Sequence, residues 1–292
     1  MKKLTGTGVA LVTPFLANGQ IDFPALKKLL KHTAKGVDYY VVMGTTGEVA
    51  TLNKEERKDV LQFVLNNNEA NLPIVYGIGG NNTAEVLKQI EETDFKGVTA
   101  LLSVSPYYNK PSQAGIVTHF KAVADASPVP VILYNVPGRT GSNMLASTTL
   151  TLAQHSNIIG IKEASGNLEQ CMKIAAEAPK NFLLISGDDM LTVPLYAIGS
   201  KGVISVLANA YPLSFKKMKD FAFANDYRKA SKELFTLLDI NGHMYEEGNP
   251  VGVKQLLAEM NVVKPFVRLP LVPASASLTN KIKSVAPGLR KK

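Results

Sequence analysis

Gly8-Val9-Ala10-Leu11-Val12-Thr13-Pro14-Phe15 is a short apolar run closed by a proline turn. Its length and continuity suit a strand buried on both faces, and Pro14 stops it from going further. Met1-Lys2-Lys3 ahead of it has the basic start of a secretory signal, but Pro14 and the turn pair Asn18-Gly19 cut the apolar stretch short, so it reads as a first strand. The turn after this run decides the architecture. A doubly wound sheet carries a glycine-rich loop after its first strand, and Thr13-Pro14-Phe15 is no such loop.

Outward from 9–13, strand-length apolar runs recur at 39–43, 74–77, 98–103, 129–134, 158–162, 182–186 and 203–206. Helically spaced segments separate them, at 23–35, 54–67, 83–93, 113–125, 146–155, 168–177 and 191–198, with another at 213–224 after the last. Asp22, Asn53 and Asn82 stand at N-cap positions, the latter two with Glu56 and Glu85 three residues on as in a capping box. Gly36, Gly97 and Gly199 follow helices where a left-handed residue ends them most easily. Strands joined by helix-length crossovers are parallel, and this pattern predicts an α/β fold, a (β/α)8 TIM barrel over residues 1–225. Residues 226–292 exceed what closing a barrel requires. Helical segments at 226–243 and 251–260, followed by a proline-containing stretch and a short segment at 277–284, read as a small C-terminal helical subdomain.

The 292 residues are 46% hydrophobic and 19% charged, with no apolar run long enough for a membrane span, which describes a soluble globular protein. Cys171 is the single cysteine, so no intramolecular disulfide forms and a reducing, cytoplasmic setting is expected. The net charge of +8 owes much to Lys281, Lys283, Arg290, Lys291 and Lys292, which read as a solvated basic tail rather than a nucleic-acid surface.

Barrel enzymes react at the C-terminal ends of their strands. Those ends carry Gly44-Thr45-Thr46-Gly47-Glu48, Ser105-Pro106-Tyr107-Tyr108-Asn109, Tyr134-Asn135-Val136-Pro137-Gly138-Arg139-Thr140, Lys162-Glu163 and Gly187-Asp188-Asp189. Lys162 is the sharpest signal, because it lies in Ile158-Ile159-Gly160-Ile161-Lys162, where a parallel strand buries everything. Alternation puts Gly160 and Lys162 on one face, the glycine leaving room for the lysine stem, and sends Glu163 to the other. Desolvation without a full counter-charge favours the neutral amine, which attacks a ketone to form a Schiff base. Tyr134 ends the neighbouring strand with a phenol able to give and take a proton. Thr45 and Thr46 offer hydroxyls and turn N–H groups to a carboxylate. The histidines, His32, His119, His155 and His243, fall in helical segments away from the strand ends, so neither a histidine metal site nor a Ser-His-Asp arrangement is assembled. Asp188 and Asp189 replace the anion cradle of phosphate-binding barrels, which argues against a phosphorylated substrate.

Taken together, the Gly44–Glu48, Tyr134–Thr140 and Ile161-Lys162-Glu163-Ala164-Ser165-Gly166 motifs resemble the dihydrodipicolinate synthase family over essentially the whole chain. Pro106-Tyr107-Tyr108-Asn109-Lys110-Pro111 and Asn249-Pro250 add matches. The resemblance implies a homotetramer, a dimer of dimers, that condenses pyruvate with L-aspartate 4-semialdehyde to 4-hydroxytetrahydrodipicolinate in lysine and diaminopimelate biosynthesis. It implies that Lys162 holds pyruvate as a covalent imine with no cofactor or metal, and that Tyr134, Thr45 and a neighbour's Tyr108 relay protons. Thr46 would hold the pyruvate carboxylate, Gly187 and Ile204 would shape the pocket, and Arg139 would bind the carboxylate of the semialdehyde. An effector site for lysine would use Asn81, Glu85 and Tyr107. Lys54 and Arg57 stand where lysine-sensitive relatives often carry histidine, so weak or absent inhibition by lysine is expected. Val49 and Gly252 depart from the family pattern away from this chemistry.

Two other functions compete. N-acetylneuraminate lyase and 2-keto-3-deoxygluconate-type aldolases share the lysine and tyrosine but cleave polyhydroxylated chains, whereas Arg139 suits a second carboxylate through its planar fork. A silent barrel acting as a binding protein would have no need of a lysine at a dry strand end.

Overall fold

The computed structural model describes residues 4–288. Of the expected basic tail, Arg290, Lys291 and Lys292 lie outside them, as does the basic start at Met1-Lys2-Lys3. Lys281 and Lys283 instead stand in the last helix, paired with Glu246 and Glu259, and are not part of a tail. Eight strands, β1 (Gly6–Ala10), β2 (Tyr39–Val42), β3 (Ile74–Gly77), β4 (Ala100–Val104), β5 (Val131–Asn135), β6 (Ile158–Glu163), β7 (Leu183–Ser186) and β8 (Gly202–Ser205), follow one another in chain order and close into a barrel. The helices are α1 (Phe23–Thr33), α2 (Lys54–Asn66), α3 (Thr83–Glu91), α4 (Gln113–Ala126), α5 (Pro137–Thr140), α6 (Ala146–Leu152), α7 (Leu168–Glu177), α8 (Thr192–Ala197) and α9 (Pro212–Phe223). After the barrel come α10 (Tyr227–Phe235), α11 (Leu238–Asn241), α12 (Val251–Glu259) and α13 (Ala276–Val285). The helix expected over 226–243 is broken, α10 and α11 being followed by a 3-10 turn at Gly242–Met244. No helix among the described residues is long and apolar enough to cross a membrane.

Strand interiors are apolar as parallel burial demands, and β5 and β7 are buried along their whole length. At the seam of the barrel, a Cβ on Gly202 would lie 2.3 Å from the carbonyl oxygen of Gly6, so only glycine lets these backbones approach. The contacts group into two compact units, one built on Pro73–Ile204, the other combining Thr7–Leu72 with the chain from Ser205 onward.

Local rules hold unevenly. Asp22 caps α1 through Ala25 N–H, and Asn53 forms the full capping box with Glu56, each bonding the other's backbone. Asn82 does not cap α3 with its side chain, so the box expected with Glu85 is absent. Gly97 and Gly199 are left-handed, at φ 84° and 98°. Gly36 is not; its Cβ would lie 2.2 Å from the Pro212 carbonyl oxygen, so close backbone approach explains this glycine.

Candidate active site

In the unit built on Pro73–Ile204, β5 and β6 pair in register, Tyr134 opposite Lys162 and Asn135 opposite Glu163. Alternation therefore puts Tyr134 and Lys162 on one face and Asn135 and Glu163 on the other. Lys162 is buried, 6% exposed, and its Nζ lies 4.2 Å from the centroid of the Tyr134 ring. Among the described residues it makes no ion pair. The nitrogen thus faces an aromatic ring and, among the described residues, no carboxylate.

Glu163 is held on the opposite face by neutral donors. Asn135 Nδ2 donates to both its carboxylate oxygens at 3.1 and 3.0 Å, Gln170 Nε2 donates at 3.0 Å, and the Ser165 N–H at 2.7 Å. These donors satisfy both oxygens of the buried carboxylate without a cation. Its satisfaction ties β5, β6 and α7 together and leaves the Lys162 amine to the other face. Cys171 is buried in α7, and burial, with the charge of Glu163, pushes its thiol up to about 12. Gly160 does not serve the lysine stem as expected: a Cβ there would lie 2.5 Å from the carbonyl oxygen of Leu183, so it admits β7 instead.

The other expected residues of this unit stand at strand exits. Arg139 is exposed in α5, a four-residue turn directly after β5. Gly187 donates its N–H to the Glu163 carbonyl at 2.7 Å, and a Cβ there would meet that of Ala164 at 2.6 Å. Ile204 is buried in β8. Tyr108, past β4, is 86% exposed with φ at 75°, a left-handed backbone rare for an aromatic residue. Asn81 and Tyr107 are brought together, Asn81 Nδ2 donating to the Tyr107 carbonyl at 3.3 Å, while Glu85 is exposed in the first turn of α3.

In the other unit, β2 ends in a strained turn. Met43 and Glu48 are left-handed, at φ 60° and 55°, and flank the 3-10 turn of Thr45–Gly47. Non-glycine residues held in this region cost of order 1–3 kcal/mol each and persist only where their surroundings over-determine them. Here the surroundings are ionic. The fully buried Lys254 of α12 donates to Glu48 Oε1 and, at 2.8 Å, to the Phe266 carbonyl. The Arg268 N–H donates to Glu48 Oε2 at 2.9 Å. The Arg268 guanidinium grips Glu56 through two bonds of 2.8 and 2.5 Å, and both cations lie over the Phe15 ring. Burial pushes Lys254 down to about 8 against the opposing pull of Glu48. Within the turn, Thr13 Oγ1 donates to the Gly47 carbonyl at 2.7 Å, and Asn249 Nδ2 donates to Thr46 Oγ1 at 3.0 Å.

Sequence reasoning missed Lys254, Arg268 and the amides around Glu163. Lys254 carried the same signal as Lys162, a lysine inside an apolar run, Val251-Gly252-Val253-Lys254-Gln255-Leu256-Leu257. Gly252 of that run packs against the chain before it, a Cβ there falling 2.2 Å from the His243 carbonyl oxygen.

A closed parallel barrel whose strand exits carry a lysine, a phenol and a hydroxyl-bearing turn defines a barrel enzyme. The sequence model of the dihydrodipicolinate synthetase family matches residues 3–287, and the chain belongs to that family. It is 51% identical over 283 residues to the 4-hydroxy-tetrahydrodipicolinate synthase of Cytophaga hutchinsonii, covering 97% of this chain and 95% of that one. Dihydrodipicolinate synthase from Bacillus anthracis superposes with a TM-score of 0.94 at 35% identity, over 98% of this chain and 99% of that one. The chloride-inhibited synthase from Acinetobacter baumannii, solved with pyruvate, gives 0.92 at 36% identity, over 97% and 99%. These relatives favour the synthase over the cleaving aldolases raised by the sequence.

Proposed function

We infer that Lys162 is the nucleophile of a lyase that condenses pyruvate with L-aspartate 4-semialdehyde, the activity of the family to which the chain belongs. The observation that carries this reading is the buried Lys162 amine over the Tyr134 ring with no carboxylate partner among the described residues. The neutral amine adds to the ketone carbon of pyruvate. Protonation of the resulting hydroxyl, by Tyr134 with Thr45, lets it leave as water and gives the iminium. That iminium is the electron sink, so no separate cofactor is required. Loss of a methyl proton yields the enamine, whose carbon attacks the aldehyde while its oxygen takes up a proton. The amine of the second substrate then attacks the imine carbon and expels Lys162, closing the ring of 4-hydroxytetrahydrodipicolinate.

Thr46 holds the pyruvate carboxylate in this reading, Gly187 and Ile204 bound the pocket, and exposed Arg139 receives the carboxylate of the semialdehyde. Tyr108 completes the relay from a neighbouring subunit of a homotetramer. Its exposure and left-handed backbone support that role. The unpaired thiol supports a cytoplasmic location.

Borohydride reduction in the presence of pyruvate tests the reading. A pyruvate-derived mass is expected on the peptide containing Lys162 and is lost, with turnover, in Lys162→Ala; an adduct on another lysine overturns the assignment.

A further inference from the structure

We propose that Asn249 is a positioning residue for pyruvate, acting through Thr46, an inference that rests on the reading in which Thr46 holds the pyruvate carboxylate. A threonine hydroxyl has one proton to give and accepts on its lone pairs. A carboxylate only accepts, so Thr46 serves it only if the proton is directed at the ligand. The bond from Asn249 Nδ2, 3.0 Å long and buried, occupies the acceptor side of Thr46 Oγ1 and leaves the proton free to be donated elsewhere.

Two further observations separate this role from simple packing. Asn249 Oδ1 is buried and has no hydrogen-bond partner among the described residues, although leaving such an oxygen unpaired is unfavourable. An asparagine serving the fold alone would be expected to satisfy both ends of its amide. The Nδ2 bond to Thr46 is the interaction that this amide does complete.

The position of Asn249 in the chain is the second observation. It lies directly ahead of α12, the helix whose Lys254 holds Glu48, so one C-terminal segment grips the turn of Thr45–Gly47 at two points. Lys254 fixes the backbone just past the turn through the Glu48 carboxylate. Asn249 sets the direction of a single proton within it.

The test measures the pyruvate concentration that half-saturates borohydride trapping, together with the KM of each substrate, in Thr46→Val, Asn249→Ala, the double variant and Asn249→Asp. Loss of one neutral hydrogen bond predicts a rise of roughly threefold to tenfold for pyruvate in Asn249→Ala, with the semialdehyde KM little changed. Because Asn249 acts through Thr46, the double variant should match Thr46→Val alone. Asn249→Asp keeps the shape of the side chain but accepts the Thr46 proton and adds a negative charge, so it should bind pyruvate less well than Asn249→Ala.

If Thr46→Val leaves the pyruvate dependence unchanged, the reading of Thr46 is wrong. If Thr46→Val weakens pyruvate but Asn249→Ala does not, or the two effects multiply in the double variant, the role of Asn249 is overturned while that of Thr46 stands. Pyruvate binding at the parent level in folded Asn249→Asp would equally overturn it.

Discussion

The exits of β6 and β2 are built on opposite principles. Lys162 leaves a strand whose pairing with β5 runs unbroken from Gly160 to Glu163, past a register shift at Ile159, and the buried carboxylate beside it is satisfied by the neutral amides of Asn135 and Gln170 and the Ser165 N–H. Thr45 and Thr46 occupy a turn bounded by two left-handed residues and fastened through Glu48 by the buried Lys254 ammonium and the Arg268 backbone N–H. The difference follows from what each exit offers. A strand presents a side chain without backbone strain, so neutral hydrogen bonds suffice to hold it. A turn that offers hydroxyls and main-chain N–H groups together needs strained dihedrals and correspondingly stronger ties.

The largest expected effect tests the β6 side. In the proposed mechanism Tyr134→Phe removes the proton relay and leaves the ring over Lys162, so turnover should fall by roughly 10²–10⁴-fold with little change in pyruvate trapping at saturation. Near-normal turnover in this variant would make the tyrosine a packing residue and leave the amine without its acid.

On the β2 side the first effect should be on stability. Lys254→Met strands the Glu48 carboxylate in a dry site and should cost about 3–5 kcal/mol, whereas Glu48→Gln with Lys254→Met should recover most of that loss in denaturant titrations. A pH signature follows from the lowered pKa of Lys254. Between about 8 and the ordinary lysine range the unfolded chain holds a proton that the folded chain has released, so this group makes the protein relatively more stable as pH rises there. The double variant should lack that gain; an identical pH slope in both proteins would mean that Lys254 keeps its proton.

Arg139→Ala probes a residue outside both clamps. It should raise the KM for the semialdehyde by roughly tenfold to a hundredfold while pyruvate trapping survives, and parallel loss of trapping would tie Arg139 to the β6 exit instead. The smallest effect concerns free lysine. Arg57 donates from Nε to the Leu52 carbonyl at 2.9 Å; if it and Lys54 line an effector cleft, their positive charges would oppose a cationic effector. Steady-state rates are therefore expected to change little at millimolar lysine. Strong inhibition below millimolar would overturn this, and Arg57→His is the substitution expected to raise sensitivity.

The geometry of the β6 exit was readable from sequence because its signals are local: a lysine within an apolar strand, a tyrosine ending the neighbouring strand, and alternation to separate Lys162 from Glu163. Gly160 was misread because the neighbour it admits, Leu183, belongs to another strand. The β2 exit was readable only as a motif. Its ties come from residues 203, 206 and 220 positions away, Asn249, Lys254 and Arg268, and periodicity carries no information about such partners. The same reason explains Gly36, whose neighbour is Pro212, and the failed box at Asn82, where the residue types were right but the side chain did not cap α3.

Cys171 turns one of these clamps into a clock. With its thiol pushed up to about 12 and buried beside Glu163, almost no thiolate exists in the folded chain at neutral pH. Iodoacetamide can modify it only in molecules where α7 has come away. As the single cysteine in 292 residues, it gives every alkylation event the same meaning. Labelling speed therefore counts openings of the region built on Pro73–Ile204 and carries no direct signal from the one containing Lys254, so a change at β2 that loosened only its own surroundings would leave the clock running at its original rate.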